Sequence, residues 1–184
     1  MLIVLSGYRT GSTTLCWGFA EHEVESGRDF EVFIDGYQQD PTPYEGKVVK
    51  VIPMQLNDNE WQHFKEHWLP AADDIVYSCR RDWHAQVKSY CVAKASKQWH
   101  PVEVNPYLAF NESQVSVTVT KRDLNIWSAR LRTNYLRMGE VYKEYEGYIT
   151  WLEDRPQQPY ENPNIQVNVN AETNYWNPEE VFLV

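Results

Sequence analysis

Residues 1–15, MLIVLSGYRTGSTTL, constrain the fold of this chain more than any other stretch. An apolar, β-prone run from Leu2 to Ser6 ends in Gly7. A turn of small residues carrying Arg9 follows, and Ser12-Thr13-Thr14 then opens a helical pattern. Strand, glycine turn and helix start form one βα unit, which an α/β sheet repeats. In such a unit the backbone N–H groups from Thr10 to Thr14 converge at a helix N-terminus, where the helix dipole favours an anion. Ser12, Thr13 and Thr14 add hydroxyl donors. A nucleoside-triphosphate loop reads G-x-x-x-x-G-K-[ST]. Here Gly7 and Gly11 stand one residue too close for that loop, and Ser12 occupies the lysine position. The cation lies inside the turn instead, as Arg9, beside the expected phosphate.

The rest of the chain repeats the alternation. β-prone runs occur at 2–6, 30–34 (FEVFI), 47–53, 74–79 and 148–153. Helical periodicity marks 57–68, 83–95 and 121–145, the last preceded by a capping signal at Thr120 and Asp123. Strands alternating with helices predict an α/β fold, a three-layer sandwich with a mostly parallel central sheet. At 184 residues the chain is expected to form a single domain, 1–184. The connection 96–120 is long and mixed, as functional loops in compact domains are. The segment 155–184 is rich in Pro and Asn. It holds one alternating run, IQVNV, and a late helix start with Asn177 as cap and Pro178 in the first turn.

A net charge of −9 argues against a nucleic-acid partner, which needs a basic face. No apolar stretch approaches the roughly 20 residues of a membrane span. Met1 runs into LIVLSG without a basic region or cleavage site, so no signal peptide is expected. Cys16, Cys79 and Cys91 are odd in number and lack metal spacing. They are expected to be reduced thiols in a cytoplasmic protein with no metal site. Eight Trp and twelve Tyr suit core and rim packing, or a stacking site.

A second anion-binding pattern occupies DIVYSCRRDWHAQVKSY. Arg81 leaves the end of a β-prone run, and Ser89 follows eight positions later, about two helical turns on. A guanidinium offers a forked, permanent charge to a phosphate, and a serine offers a short donor. Arg80 is a neighbouring cation able to serve in place of Arg81.

Together the two patterns resemble the sulfotransferases that use 3′-phosphoadenosine 5′-phosphosulfate. Their first loop reads P-[KR]-[ST]-G-[ST]-[ST], and YRTGST at 8–13 matches it with Tyr8 in place of proline. Their second motif reads R-[DN]-P-x-x-x-x-x-S. Arg81, Asp82 and Ser89 match it, with Tyr90 following and Trp83 in place of proline. GYITWLEDR is similar to the family's strand ending in Glu-Asp after a long helix. The resemblance covers about 1–20, 74–95 and 121–155. The C-terminal R-K-G-x-x-G loop of the cytosolic animal enzymes has no counterpart here, and the pattern is closer to bacterial and phage-type members.

The resemblance implies a P-loop NTPase-like sulfotransferase fold. It implies a nucleotide site for 3′-phosphoadenosine 5′-phosphosulfate (PAPS) and its product adenosine 3′,5′-bisphosphate (PAP), built from Arg9, Thr10, Gly11, Ser12, Thr13, Thr14, Arg81 and Ser89. The activity implied is transfer of a sulfuryl group to the hydroxyl of a small-molecule or carbohydrate acceptor. Arg9 would lie at the charge that develops on the departing oxygen. The proton acceptor is expected shortly after the first helix, at Glu31 or Asp35. Family position favours Glu31, and the carboxyl end of a parallel strand favours Asp35. Asp29, His22, His84 and His100 are further candidates. Two alternatives stand beside this reading: a small-molecule or nucleoside kinase of related fold, and a nucleotide-binding protein without catalysis.

Overall fold

The structure, a computed structural model, describes residues 1–20, 29–97, 115–155, 165–169 and 171–183. Strand β1 (Leu2–Ser6) pairs in parallel with β2 (Val48–Val51) on one side and β3 (Asp74–Cys79) on the other. Beyond β3 lies β5 (Tyr148–Trp151), also parallel, giving the order β2-β1-β3-β5. The central strands are near-continuous apolar runs because both faces of a parallel sheet are covered. Val4, Val48 and Val76 join Cys16 and Phe30 in a small cluster beneath helix α1 (Ser12–Phe19). Ile3, Leu5, Val49, Val51, Ile75 and Tyr77 point the other way. They form the main core with Leu131, Tyr135 and Met138 of helix α4 (Lys121–Glu144). The chain is thus α/β, a mostly parallel central sheet of four strands flanked by helices.

Local signals account for the helices. Helix α2 (Asp58–His63) begins with a reciprocal capping box: Asn57 Oδ1 accepts from Glu60 N–H, and Glu60 accepts from Asn57 N–H. It runs on into a π-helical turn, Phe64–Trp68, which buries both end aromatics completely. Helix α3 (Trp83–Ser96) is capped by Asp82, whose Oδ1 accepts from Ala85 N–H at 2.9 Å. Helix α4 has the expected Thr120–Asp123 box. Asn177 caps a short 3₁₀ turn, Pro178–Phe182, that packs against α4.

Two expectations are corrected. The run 30–34 is not a strand but part of a turn held by Ile34 N–H to Glu31 C=O and Gly36 N–H to Phe33 C=O. Packing overrides β propensity there. Phe33 stacks on Tyr37 with ring centroids 4.9 Å apart, whereas residues four apart in a strand are separated by about 13 Å. Asp35 therefore does not stand at the carboxyl end of a strand, and that ground for preferring it over Glu31 is gone. The connection 96–120 is also not all loop, because Val115–Val119 forms β4. This strand pairs in parallel with β6 (Ile165–Val169) in a separate two-stranded sheet that packs on α3. Its alternation is plain: Val117 and Val119 are buried, Ser116 and Thr118 exposed.

The strand order reverses direction between β1 and β3. From β1 the chain passes through α1 to β2, while β3 leads into α3, whose Val87, Tyr90 and Cys91 lie in the main core on the opposite face. The carboxyl ends of β1 and β3 are therefore the place where two connections diverge, and open α/β sheets bind ligands in such a crevice. Both sequence patterns end there.

Candidate anion-binding site

After Ser6 the chain makes a turn whose backbone is left-handed at Arg9 (φ 62°) and Gly11 (φ 68°). Glycine adopts this conformation freely. An arginine in it is strained by about 1–2 kcal/mol, and such strain clusters at ligand sites. A Cβ at Gly11 would also lie 2.8 Å from Leu152 Cδ1. Several carbonyls of the turn are held from within or below. Thr10 Oγ1 donates to Gly7 C=O at 2.9 Å, and Gln86 Nε2 donates to Tyr8 C=O at 2.7 Å. Arg155 Nη1 donates to Thr10 C=O at 2.8 Å, while its Nη2 and Nε reach Ser78 Oγ and Thr150 Oγ1 at 2.9 and 3.0 Å. Thr10 is fully buried, and Ser78 Oγ donates to its hydroxyl at 3.1 Å. The turn is thus anchored on β3 and β5.

The first N–H groups of any α-helix lack intrahelical partners. At α2, α3 and α4 a side chain (Asn57, Asp82, Thr120) accepts one of them, but α1 starts from Gly11 with no side-chain cap and no acidic residue in its first turn. Ser12 and Thr13 are buried in that turn, and Thr14 is exposed. The start of α1 is therefore suited to a ligand anion.

The second pattern meets the first through one residue. Arg9 Nε donates to Ser89 Oγ at 2.8 Å, a contact across 80 positions of sequence. Burial, reinforced by repulsion from Arg80, lowers the Arg9 pKa to about 10. Two guanidinium groups close enough to repel favour an anion between or beside them. Arg80 Nε in turn lies 3.8 Å from Glu153 Oε1.

Arg81 is engaged elsewhere. Its two terminal nitrogens form a fork on Asp154 at 2.5 and 2.8 Å, its Nε donates to Glu179 Oε1 at 2.8 Å, and it lies over Trp151. These bonds, the Asp154 one foremost, raise its pKa. Arg81 and Ser89 thus bond to different partners, carboxylates for one and Arg9 for the other. The residues in place of the family's prolines are packing groups. Tyr8 sits 4.9 Å from the Tyr90 ring, and Trp83 is 4.7 Å from Trp176.

Glu31 lies beside the site, where its carboxylate forms an ion pair with Lys50. Lys50 is 3% exposed in the middle of β2, and its ammonium also donates to Thr13 Oγ1 at 2.7 Å. Asp29 and Asp35 are both exposed in the 29–36 turn. His84 hydrogen-bonds Thr173. His22, His100 and residues 98–114 of the long 96–120 connection lie outside the described residues.

Sequence reasoning missed Lys50 and Arg155. The first had a signal, a lysine interrupting the buried run VVKV; the second, in LEDR, reads like any surface arginine. Among the described residues no helix is long and apolar enough to cross a membrane. No group of three or more His, Cys, Asp or Glu among them is placed to hold a metal ion. Comparison with family models, curated proteins and solved structures found no match to this chain.

Proposed function

We propose that this chain is a sulfotransferase of P-loop-like class, moving a sulfuryl group from PAPS to a hydroxyl acceptor. One observation carries the reading. The Arg9 turn at the uncapped start of α1 and Ser89 of the second motif, 80 positions apart, are joined by a hydrogen bond in the crevice between β1 and β3. The residues present fit a 5′-phosphate: left-handed backbone at Arg9 and Gly11, amides from Thr10 to Thr14, the hydroxyls of Ser12 and Thr13, and two neighbouring guanidiniums.

The bound nucleotide supplies the sulfuryl group and a phosphate leaving group. The chain contributes position and charge. The α1 amides, Ser12, Thr13 and Thr14 hold the 5′-phosphate, and Arg9 offsets negative charge on the departing oxygen. Ser89 and Arg81 hold the 3′-phosphate, Arg81 by exchanging Asp154 and Glu179 for phosphate oxygens. The proton acceptor is a carboxylate of the 29–36 turn, either Glu31, with Lys50 as its counter-ion, or the exposed Asp35. The acceptor is a small molecule or carbohydrate bearing a hydroxyl, and the compartment is the cytoplasm.

A second reading is favoured by the carboxylates that already occupy Arg81. In it the chain binds a mononucleotide through its 5′-phosphate alone. Calorimetric titration, run without and then with magnesium, separates the readings. The sulfotransferase reading expects PAP to bind at least tenfold more tightly than 5′-AMP, the worth of one charge-assisted phosphate contact. Equal affinities would support the second reading, and binding of ATP only with magnesium would support a kinase.

A further inference from the structure

Lysine is among the residues almost never fully buried unless paired, yet Lys50 stands in β2 between Val49 and Val51 with 3% of its surface exposed. An ammonium so placed is costly unless paired and hydrogen-bonded. Both conditions are met, by Glu31 and by Thr13 Oγ1 at 2.7 Å. The second contact has a stereochemical consequence. An ammonium carries donors and no acceptor. The Thr13 oxygen must therefore accept from Lys50, and the Thr13 hydroxyl proton must be donated elsewhere.

Thr13 is 5% exposed, the second residue of α1, and none of the described residues accepts that proton. A second observation points the same way. Ser6 is completely buried at the carboxyl end of β1, and its Oγ has no hydrogen-bond partner among the described residues. Strand alternation puts Ser6 on the face of Val4, the register partner of Lys50, so both hydroxyls belong to the α1 side of the sheet end. A buried Thr13 hydroxyl with an unspent donor at a helix start without a cap, and an unpartnered Ser6 hydroxyl on the same face of the sheet, suit a ligand that brings acceptors.

We infer that Lys50 is a positioning residue of the anion site: reaching α1 from β2, it fixes the Thr13 hydroxyl as a donor to an anion held at the α1 N-terminus. A cation that a triphosphate loop carries in the turn itself is here placed one strand away and acts through a hydroxyl. Glu31 balances its charge, so the pair orients Thr13 without adding net charge. The inference rests on the reading of the 7–14 turn as an anion site, and the experiment separates the two.

The test is a double-mutant cycle by calorimetry with two probes, inorganic pyrophosphate and PAP. Thr13→Val removes the hydroxyl with little change in shape, and the expected loss of affinity is about tenfold for both probes. Thr13→Ser restores most of it. Lys50→Met alone leaves Glu31 uncompensated and endangers folding; the neutral pair Lys50→Met with Glu31→Gln is therefore used. It should weaken both probes by severalfold in the native background and by less than twofold in the Thr13→Val background.

Equal losses in both backgrounds would show that Lys50 does not act through Thr13 and would overturn the inference. So would wild-type affinity in Thr13→Val, or no binding of either probe. If PAP binds no better than pyrophosphate, the PAPS reading fails, and the cycle measured with pyrophosphate still decides the role of Lys50.

Discussion

At the scale of the residue, Arg9 combines two costs that a folded chain rarely keeps without use. Its backbone is left-handed, and its half-buried charge sits near Arg80. Replacing it by glycine or alanine removes the guanidinium in both cases, but only glycine relieves the backbone. Arg9→Gly is therefore expected to be more stable than Arg9→Ala by about 1 kcal/mol in chemical denaturation, while both lose nucleotide affinity and turnover. Equal stabilities would mean that the φ of this residue carries no strain.

The Arg9 charge also sets a pH window. An anion binds the protonated form, and the pKa in the free protein is lowered to about 10, by burial first and by Arg80 second. Anion affinity should hold below that value and decline as pH rises through it. Arg9→Ala should lack that component of the decline. Arg81 yields a prediction of different sign. Its partners Asp154 and Glu179 compete with a phosphate for the same guanidinium. The groups are well exposed, so the gain on removing one charge is modest. Glu179→Gln should tighten PAP by about twofold to fivefold and leave 5′-AMP unchanged. An equal effect on both nucleotides would place Arg81 outside the 3′-phosphate site.

At the scale of the element, caps decide what can be read. The Thr120–Asp123 box was legible because its spacing is local, and α4 begins where the box puts it. Thr120→Ala should lower stability by about 1 kcal/mol in denaturant titration. Thr120 holds the Asp123 carboxyl below its ordinary pKa, through the side-chain bond first and the backbone bond second. The sign follows from that depression. The contribution is fully present above the unfolded value and lost as pH falls through the folded one, so the Thr120→Ala deficit should shrink in strong acid. A deficit unchanged at low pH would detach the cap from Asp123.

The 29–36 turn was not legible, because its cause is not local. FEVFI has β propensity, and what bends it is aromatic packing of Phe33 on Tyr37 and Trp68. Lys50 illustrates the same limit at the site. Its partners Glu31 and Thr13 lie 19 and 37 positions away, and spacing in sequence says nothing of side chains that meet across β2 and α1. The two motif-bearing turns stood out in the sequence because each is a short pattern at a strand end. Which residue of the second motif meets the first was not legible, since Ser89 rather than Arg81 makes the contact.

At the scale of the whole molecule, the sheet order brings the candidate site together. Alternating strands and helices were readable as α/β, but nothing in the chain announces that β3 rather than β2 crosses to the far side of β1. That placement makes the β1 and β3 loops neighbours. The C-terminal 3₁₀ turn closes the assembly: Phe182 enters the main core, Glu179 reaches Arg81, and Val181 packs on α4 at Gly139. A Cβ on Gly139 would lie 2.5 Å from the backbone oxygen of Val181, too close without a shift of the turn. Gly139→Ala should therefore destabilise the protein by about 1–3 kcal/mol despite the better helix propensity of alanine. A gain in melting temperature would show that the turn moves away at no cost.

The central claim is that the turn between β1 and α1 holds the 5′-phosphate of a nucleotide. A crystal structure with PAP tests it most directly. The account predicts the 5′-phosphate against the amides of Thr10 to Thr14, within hydrogen-bond reach of Thr13 Oγ1 and beside Arg9. It also predicts the 3′-phosphate at Ser89, with Arg81 released from Glu179. A nucleotide bound elsewhere, with the start of α1 taking only water, would contradict it.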